Sequence, residues 1–324
     1  METDEVRGIR AALAKTIRRN KNSPPGAKEF FALSGPNYVG KSTFIMRWAR
    51  ERYRKLIEGA DTDSRGRPVM HPNEDVEVDL CPVVLTLIPA KAVVKSVNQE
   101  ILACYGLPGD GDTVQLTSNA INAARRHGTQ IIIFDDLHML YTDWRGGRFV
   151  LDHIKNINTE LGYTGTTFVL VGANIENSAL VNDPQIAGRL TLRTLTPYPA
   201  GTVDERRTWQ RVLMQLEELV LPHLPAGKRG MLYRDLAGEL WLRTQGFVGD
   251  LKTLVGEALE AANQDGSHRI LARHLEAATL TKRAEDEYRE EIAERRRRPR
   301  SNTAAAEQSQ PQSVDSSGII SGNQ

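Results

Sequence analysis

The sequence predicts an α/β protein: a three-layer αβα core around a parallel sheet, with a small all-helical unit behind it. Short, wholly apolar runs alternate with segments of helical periodicity, the pattern of strands buried between two helical layers. One of those runs, Phe30, Phe31, Ala32 and Leu33, passes through Ser34 into a Gly-rich loop that opens a long helix. Beyond Pro197 and Pro199 only helical patterns remain.

Length and composition agree with that division. A chain of 324 residues can bury a full α/β core and a second, smaller domain, and 40% hydrophobic with 26% charged residues is ordinary for a globular protein. The net charge of +1 excludes a globally basic surface. Any attraction to nucleic acid must be local, as in the crowding of Arg295, Arg296, Arg297, Arg298 and Arg300. Cys81 and Cys104 lack metal-site spacing and read as structural thiols. No apolar stretch approaches the ~20 residues of a spanning helix, and the start of the chain lacks a signal-peptide core. A cytoplasmic protein with no membrane partner is the expectation.

Taken in order, Val6, Ile9, Leu13 and Ile17 stand at helical spacing and predict an amphipathic helix, stopped by Asn22-Ser23-Pro24-Pro25-Gly26. After the first strand, residues 42–56 read as a helix with Phe44, Ile45 and Trp48 on its apolar positions. Residues 61–79, polar and broken by Gly66, Pro68 and Pro72, read as a surface excursion before a strand at 82–88. Helices are predicted over 91–105 and 116–127, then a buried strand over 131–134 that ends on Asp135-Asp136. A helix over 149–161 and a strand over 167–172 follow. The helical unit comprises 203–221, 231–244, 250–264 and 270–280. From 281 a Glu/Arg-rich sequence predicts a solvated helix, and from Ser301 a composition poor in large apolar residues predicts disorder. The resulting boundaries are 1–27 for the N-terminal helix and linker, 28–200 for the core, 201–280 for a helical lid, and 281–324 for a charged helix and basic tail.

The loop Gly35-Pro36-Asn37-Tyr38-Val39-Gly40-Lys41-Ser42 fits the pattern G-x-x-x-x-G-K-[ST]. Its place between a strand and a helix is what holding a polyphosphate requires, because backbone N–H groups then aim at the phosphates from a helix N-terminus. Gly35, Pro36, Asn37, Tyr38, Val39, Gly40, Lys41, Ser42 and Thr43 are therefore candidate contacts to ATP. Lys41 is expected to reach the β- and γ-phosphates and the Ser42 hydroxyl to ligate Mg²⁺. Asp135, at the end of the acidic strand, is expected to hold the same ion through its water shell. Asp136 is a candidate for polarising the attacking water; a turn cap is its other reading. Asn174 would orient that water or simply serve the turn Gly172-Ala173-Asn174. Arg189 is a candidate arginine finger for a neighbouring subunit, against an ordinary surface ion pair. Lys252, in Gly249-Asp250-Leu251-Lys252, would approach the nucleotide from the lid or stand as an exposed helix lysine.

Further signatures accompany the loop: Ile132-Ile133-Phe134-Asp135-Asp136-Leu137-His138; Asn158-Thr159-Glu160-Leu161-Gly162; Leu170-Val171-Gly172; Asp183-Pro184-Gln185-Ile186-Ala187-Gly188-Arg189; and Thr244-Gln245-Gly246-Phe247-Val248-Gly249-Asp250. With them the chain resembles the AAA+ superfamily of P-loop NTPases. Within it, the chain is similar to the TniB-type transposon ATP-binding proteins, relatives of the target-selecting ATPases of Mu-like and Tn7-like elements. The likeness covers about residues 25–280. It implies a nucleoid-associated, ATP-dependent homo-oligomer, ring or filament, on double-stranded DNA. Such a protein marks a target and recruits or stimulates a DDE transposase, with a TniQ-type targeting protein among its partners. The family usually carries Asp-Glu where this chain has Asp135-Asp136, which bears on the rate of turnover. It usually carries Thr where Ala173 stands, which passes the sensor assignment to Asn174. By the same likeness Lys91 and Lys95, opening the helix after the second strand, and Arg125 and Arg126, on the next helix, are candidate DNA contacts. Phosphate contacts of this kind give sequence-independent, salt-sensitive binding; solvated helix charge is the alternative.

Two other functions share this core. A helicase loader or replication initiator would carry a dedicated DNA-binding domain, and no helix-turn-helix signature stands out after Leu280. A nucleotide-gated protein-binding switch would carry repeats or effector domains, which the sequence does not show.

Overall fold

The computed structural model describes residues 3–137, 145–178, 181 and 183–297, without the side chains of residues 145, 146, 295 and 296. His138, Arg298, Arg300 and the stretch from 301 onward, all named above, lie outside the described residues.

The described residues form seven strands: β1 (Phe30–Ser34), β2 (Val69–Asn73), β3 (Val76–Asp79), β4 (Val83–Leu87), β5 (Ile131–Asp135), β6 (Thr167–Val171) and β7 (Leu190–Thr194). Five of them form one sheet in the order β4-β5-β6-β1-β7, with every pair parallel. Parallel strands need crossover connections, and these bury the sheet on both faces, which is why the strands read as unbroken apolar runs. Side-chain alternation then divides the core in two. Phe31, Leu33, Ile131, Ile133, Val169 and Val171 pack against α1 (Asp4–Asn22) and α2 (Lys41–Leu56). Phe30, Ala32, Ile132, Phe134, Phe168 and Leu170 pack against α3 (Val94–Ala103), α4 (Thr113–Arg126) and α5 (Arg145–Leu161).

Helix α1 buries Val6, Ile9, Leu13 and Ile17 on the sheet. At its last turn Asn20 Nδ2 donates to the Glu29 carbonyl (2.9 Å) and to Thr167 Oγ1 (3.0 Å), fastening the helix to the approach of β1 and the start of β6. Behind β7, and past the short α6 (Pro184–Ala187) that precedes it, lie α7 (Val203–Val220), α8 (Ala237–Thr244), α9 (Val248–Gln264), α10 (Ala272–Ala277) and α11 (Lys282–Arg297). They enclose a third core around Trp209, Leu213, Leu240, Leu254 and Leu275. A buried acid closes it, since Glu217 accepts the N–H groups of Gly230 (2.8 Å) and Leu232 (2.7 Å).

Local structure departs from the sequence reading at several places, among them the strand β7, which the sequence reading did not include. Residues 61–79 carry an antiparallel hairpin, β2 with β3, rather than an irregular excursion; Asp63 accepts the N–H groups of Arg65 (2.9 Å) and Arg67 (2.8 Å) and shapes the turn that leads into it. The helix expected from residue 91 begins at Val94, because Lys91 adopts φ 56° and Ser96 Oγ accepts the Val93 N–H (3.1 Å). The helix expected from 116 begins at Thr113, where Asp112 caps the N–H groups of Val114 and Gln115 at 2.8 and 2.9 Å. Finally, α11 is docked rather than merely solvated: Ala284 is fully buried and Arg243, itself buried, bonds Glu285 (2.9 Å) and lies over the Tyr288 ring.

Burial pushes the half-buried Cys81 thiol up to about 11 and raises that of Cys104 as well; Cys104 is exposed, so the structural role expected of both thiols fits Cys81 better. No helix among the described residues is long and apolar enough to cross a membrane.

Candidate nucleotide site

The loop after β1 has the conformation that a phosphate cradle demands. Gly35 adopts φ 138°, and a Cβ there would stand 2.1 Å from the Leu195 carbonyl oxygen, so only glycine fits. Gly40, at φ 95° and ψ 18°, is the N-cap of α2, and the first intrahelical bond runs from Phe44 N–H to the Gly40 carbonyl (2.9 Å). The N–H groups of Gly40, Lys41, Ser42 and Thr43 thus precede the helical ladder and form the anion-attracting end of the helix. Lys41 is buried, with Nζ donating to the carbonyls of Gly35 (2.9 Å) and Pro36 (2.7 Å). Burial pushes its ammonium below the ordinary lysine value, while the carboxylates of Asp135, Asp136 and Glu176 oppose that shift.

Sheet order explains why those three acids surround one lysine. Strand β6 lies between β5 and β1, so the end of β5, the turn after β6 and the phosphate loop share one edge of the sheet. Asp135 ends β5, is buried, and its Oδ1 accepts the Asp136 N–H (2.8 Å). Asp136 itself adopts φ 57°. Across the gap Asn174 (φ 49°, exposed) begins the 3₁₀ turn Ile175–Asn177 with no capping bond from its side chain. Three carboxylates against one ammonium leave an excess of negative charge, and carboxylate and hydroxyl oxygens suit a hard divalent cation such as Mg²⁺. Among the described residues no group of three or more His, Cys, Asp or Glu could cage a metal alone. A phosphate-bound Mg²⁺ takes most of its ligands from phosphate and water, so Asp135 and Ser42 fit it without such a cage.

Two features of this edge were not read from the sequence. Ser34, fully buried at the end of β1, accepts the Ile175 N–H at 2.9 Å and donates to the Glu176 carboxylate. Its signal is a hydroxyl where an apolar strand residue is expected. The second is the contact between loop and lid: Gly249 N–H, in the first turn of α9, donates to the Tyr38 carbonyl (2.7 Å). A Cβ on Gly249 would come within 2.7 Å of Tyr38 Cδ1. Lys252, exposed, follows on the same helix. The next residue after Gly249, Asp250, is buried and receives Thr281 Oγ1 (3.0 Å) and the Arg283 guanidinium, which also covers the Phe247 ring.

Other predicted residues fall elsewhere. Asn158, buried in α5, brackets the Lys28 backbone, accepting its N–H (3.2 Å) and donating to its carbonyl (3.0 Å). Asp183 caps α6 and pairs with Lys155 (3.0 Å). Burial raises that carboxyl, but Lys155 and the Gln185 N–H outweigh it and hold it below the ordinary carboxylate range. Arg189 is exposed just before β7, at the amino edge where Phe30 pairs with Leu190; the phosphate loop is at the other edge, where Ser34 pairs with Thr194. Four residues of strand separate them by about 13 Å. The four DNA candidates are likewise divided. Lys91 and Lys95 follow the carboxyl end of β4, whereas Arg125 and Arg126 end α4 just before the amino end of β5, and Arg125 is bonded to Glu160 (3.1 Å).

A family model described as the bacterial TniB protein matches residues 7–200. No curated protein matches the sequence. Among solved structures the chain is similar to the ORC2 protein of Aeropyrum pernix in its ADPNP-ADP complexes, with TM-score 0.59 and 13% identity over 88% of this chain and 71% of that one. It is also similar to Cdc6p from Pyrobaculum aerophilum, with TM-score 0.56 and 14% identity over 82% of this chain and 64% of that one. At such identity the likeness speaks of fold alone: an αβα core around a parallel sheet with a helical lid, as expected from the sequence.

Proposed function

The chain belongs to the bacterial TniB family, and from that membership we propose that it is an ATP-dependent, DNA-binding regulator of transposition. In this reading the protein binds ATP with Mg²⁺, assembles as a homo-oligomer on double-stranded DNA, marks a target there, and recruits or stimulates a DDE transposase, with a TniQ-type protein as a further partner. The observation that carries it is the convergence of the phosphate loop, Asp135 and the turn after β6 at one edge of the sheet.

The residues divide the work as follows. Lys41 leaves the Gly35 and Pro36 carbonyls for the β- and γ-phosphates, and the N–H groups at the start of α2 hold the phosphate chain. Ser42 and Asp135 would hold Mg²⁺, which would supply charge neutralisation at the phosphates. Asp136 and Asn174 face the attacking water, and Lys252 approaches from the lid. Arg189, too far from its own loop, serves the nucleotide of a neighbouring copy. Lys91 and Lys95 contact DNA phosphates at the nucleotide edge; Arg125 and Arg126 belong to a separate surface.

The test is ATP turnover and a gel shift with duplex DNA at low salt. Slow hydrolysis stimulated by DNA, with a shift that requires ATP and weakens as salt rises, is expected. If DNA neither shifts nor changes turnover, the transposition reading fails, and a replication-initiator or helicase-loader role becomes the better account. An adjacent integrase-type transposase gene, against a replicative helicase gene, separates these two readings independently.

A further inference from the structure

We propose that Arg283 is a positioning residue of the nucleotide site: through Asp250 it sets the first turn of α9, and Lys252 with it, against the phosphate loop. The inference rests on the ATPase reading above and extends the site to the helix α11.

The turn 245–249 is where the lid touches the loop, since Gly249 N–H donates to the Tyr38 carbonyl (2.7 Å). That N–H lies in the first turn of α9, where a helix offers its donors no acceptor of its own, so the loop supplies one. The turn does not hold its shape by itself. Gln245 adopts φ 49°, and Gly246, at φ 78°, packs so closely that a Cβ would stand 2.0 Å from the Tyr198 carbonyl oxygen. A backbone of this kind persists where its surroundings fix it.

Helix α11 fixes both flanks. Before the turn, buried Arg243 of α8 bonds Glu285 (2.9 Å), and its guanidinium lies 4.9 Å from the centre of the Tyr288 ring. After the turn, Asp250 is buried; Thr281 Oγ1 donates to its Oδ1 (3.0 Å) and the Arg283 guanidinium to its Oδ2. The same guanidinium lies 3.4 Å from the centre of the ring of Phe247, a residue that shares a buried cluster with Val39 of the phosphate loop. A planar cation suits this place, because it bonds a carboxylate with its edge while it covers a ring with its face.

Helical spacing links this anchor to the nucleotide. Gly249 and Lys252 are three residues apart and share the face of α9 that meets the loop, whereas Asp250 is turned to α11. Holding Asp250 therefore sets the roll of α9 about its axis and the direction of Lys252. Without Arg283 the buried carboxylate would have to regain water, drawing the first turn of α9 away from the loop. Arg283 also neutralises Asp250, so the acid two residues from Lys252 does not compete with phosphate for it.

The experiment measures equilibrium Mg²⁺-ATP affinity of the full chain by calorimetry, with thermal unfolding alongside. Arg283→Ala is expected to weaken ATP binding about tenfold, and Arg283→Lys, which keeps the charge without the planar face, about threefold. Lys252→Ala should weaken it about tenfold as well, and the double variant should bind about as Lys252→Ala does, because both changes remove one interaction. Lys282→Ala, an exposed neighbour on α11, should leave affinity unchanged. An Arg283→Ala protein that is less stable yet binds ATP as wild type does would overturn the proposal, and Arg283→Lys decides in the same way should the alanine variant not fold. Single losses that multiply to about 100-fold in the double variant would overturn it too, since the two side chains would then act independently. A wild-type protein that binds no ATP would instead sink the ATPase reading and this inference with it.

Discussion

The two edges of the central sheet are built differently. At the carboxyl edge, Tyr38 after β1, Lys91 after β4, Asp136 after β5 and Asn174 after β6 adopt φ between 49° and 67°, a region that costs a residue with a Cβ about 1–2 kcal/mol, though less for Asn and Asp. At the amino edge the left-handed turns before β5 and β6 are made by Gly128 and Gly165. The remaining non-glycine residues of this kind among those described, Gln245 and His268, are in the helical unit. Gly35 and Gly40 serve the carboxyl edge as well, but only there, among the described residues of the sheet's two edges, are side chains kept in this costly conformation, which marks that edge for something besides folding. The carboxyl edge is also where the buried lysine and three carboxylates meet.

Substitutions at the two edges sharpen that contrast, beginning with the largest effect. Gly35→Ala places a Cβ 2.1 Å from a backbone oxygen and should destabilise the fold by about 4 kcal/mol in a denaturant titration. Gly128→Ala meets the flexible end of Met70 and should cost only about 1–2 kcal/mol. Equal losses at both would break the contrast. Between pH 6.5 and 4 acid sensitivity should come chiefly from His153, buried in α5 with Nε2 on Asn98 Oδ1 (2.8 Å) and pushed by burial from 6.5 down to about 4. The unfolded chain then binds the extra proton below pH 6.5. Stability should fall by about 3 kcal/mol as pH drops from 6.5 to 4, and His153→Leu should flatten that slope.

Smaller effects probe the edges themselves. Asn174→Gly relieves a left-handed backbone and should raise stability by up to about 1 kcal/mol while slowing ATP turnover. A gain in both would mean the side chain has no part in the site. Arg125→Ala, at the amino edge, breaks an exposed pair with Glu160 and should shift stability by less than about 1 kcal/mol with ATP affinity unchanged.

What the sequence revealed was local chemistry. The phosphate loop was legible because its glycines, lysine and serine are contiguous, and Asp135 because it ends an unbroken apolar run. The four apolar runs marked strands, and a fifth strand, β7, escaped because Leu190–Thr194 includes two threonines and Arg193 and is nowhere fully buried. Glu176 was not legible: its bond to Ser34 joins residues 142 apart, and only the placement of β6 between β5 and β1 brings it to Lys41. The same holds for the lid, where Gly249 meets Tyr38 and Arg283 meets Asp250 across long stretches of chain. The start of α3 was misplaced for the opposite reason, since one hydroxyl, Ser96, settles it within three residues of the Val93 N–H.

Calorimetric titration of ATP into the intact protein, with and without Mg²⁺, tests the convergence at the carboxyl edge most directly. Saturable, Mg²⁺-strengthened binding that Lys41→Ala weakens about 100-fold is the expected result. A folded protein with no measurable affinity for any purine triphosphate, or a Lys41→Ala variant that binds as tightly as wild type, would contradict it.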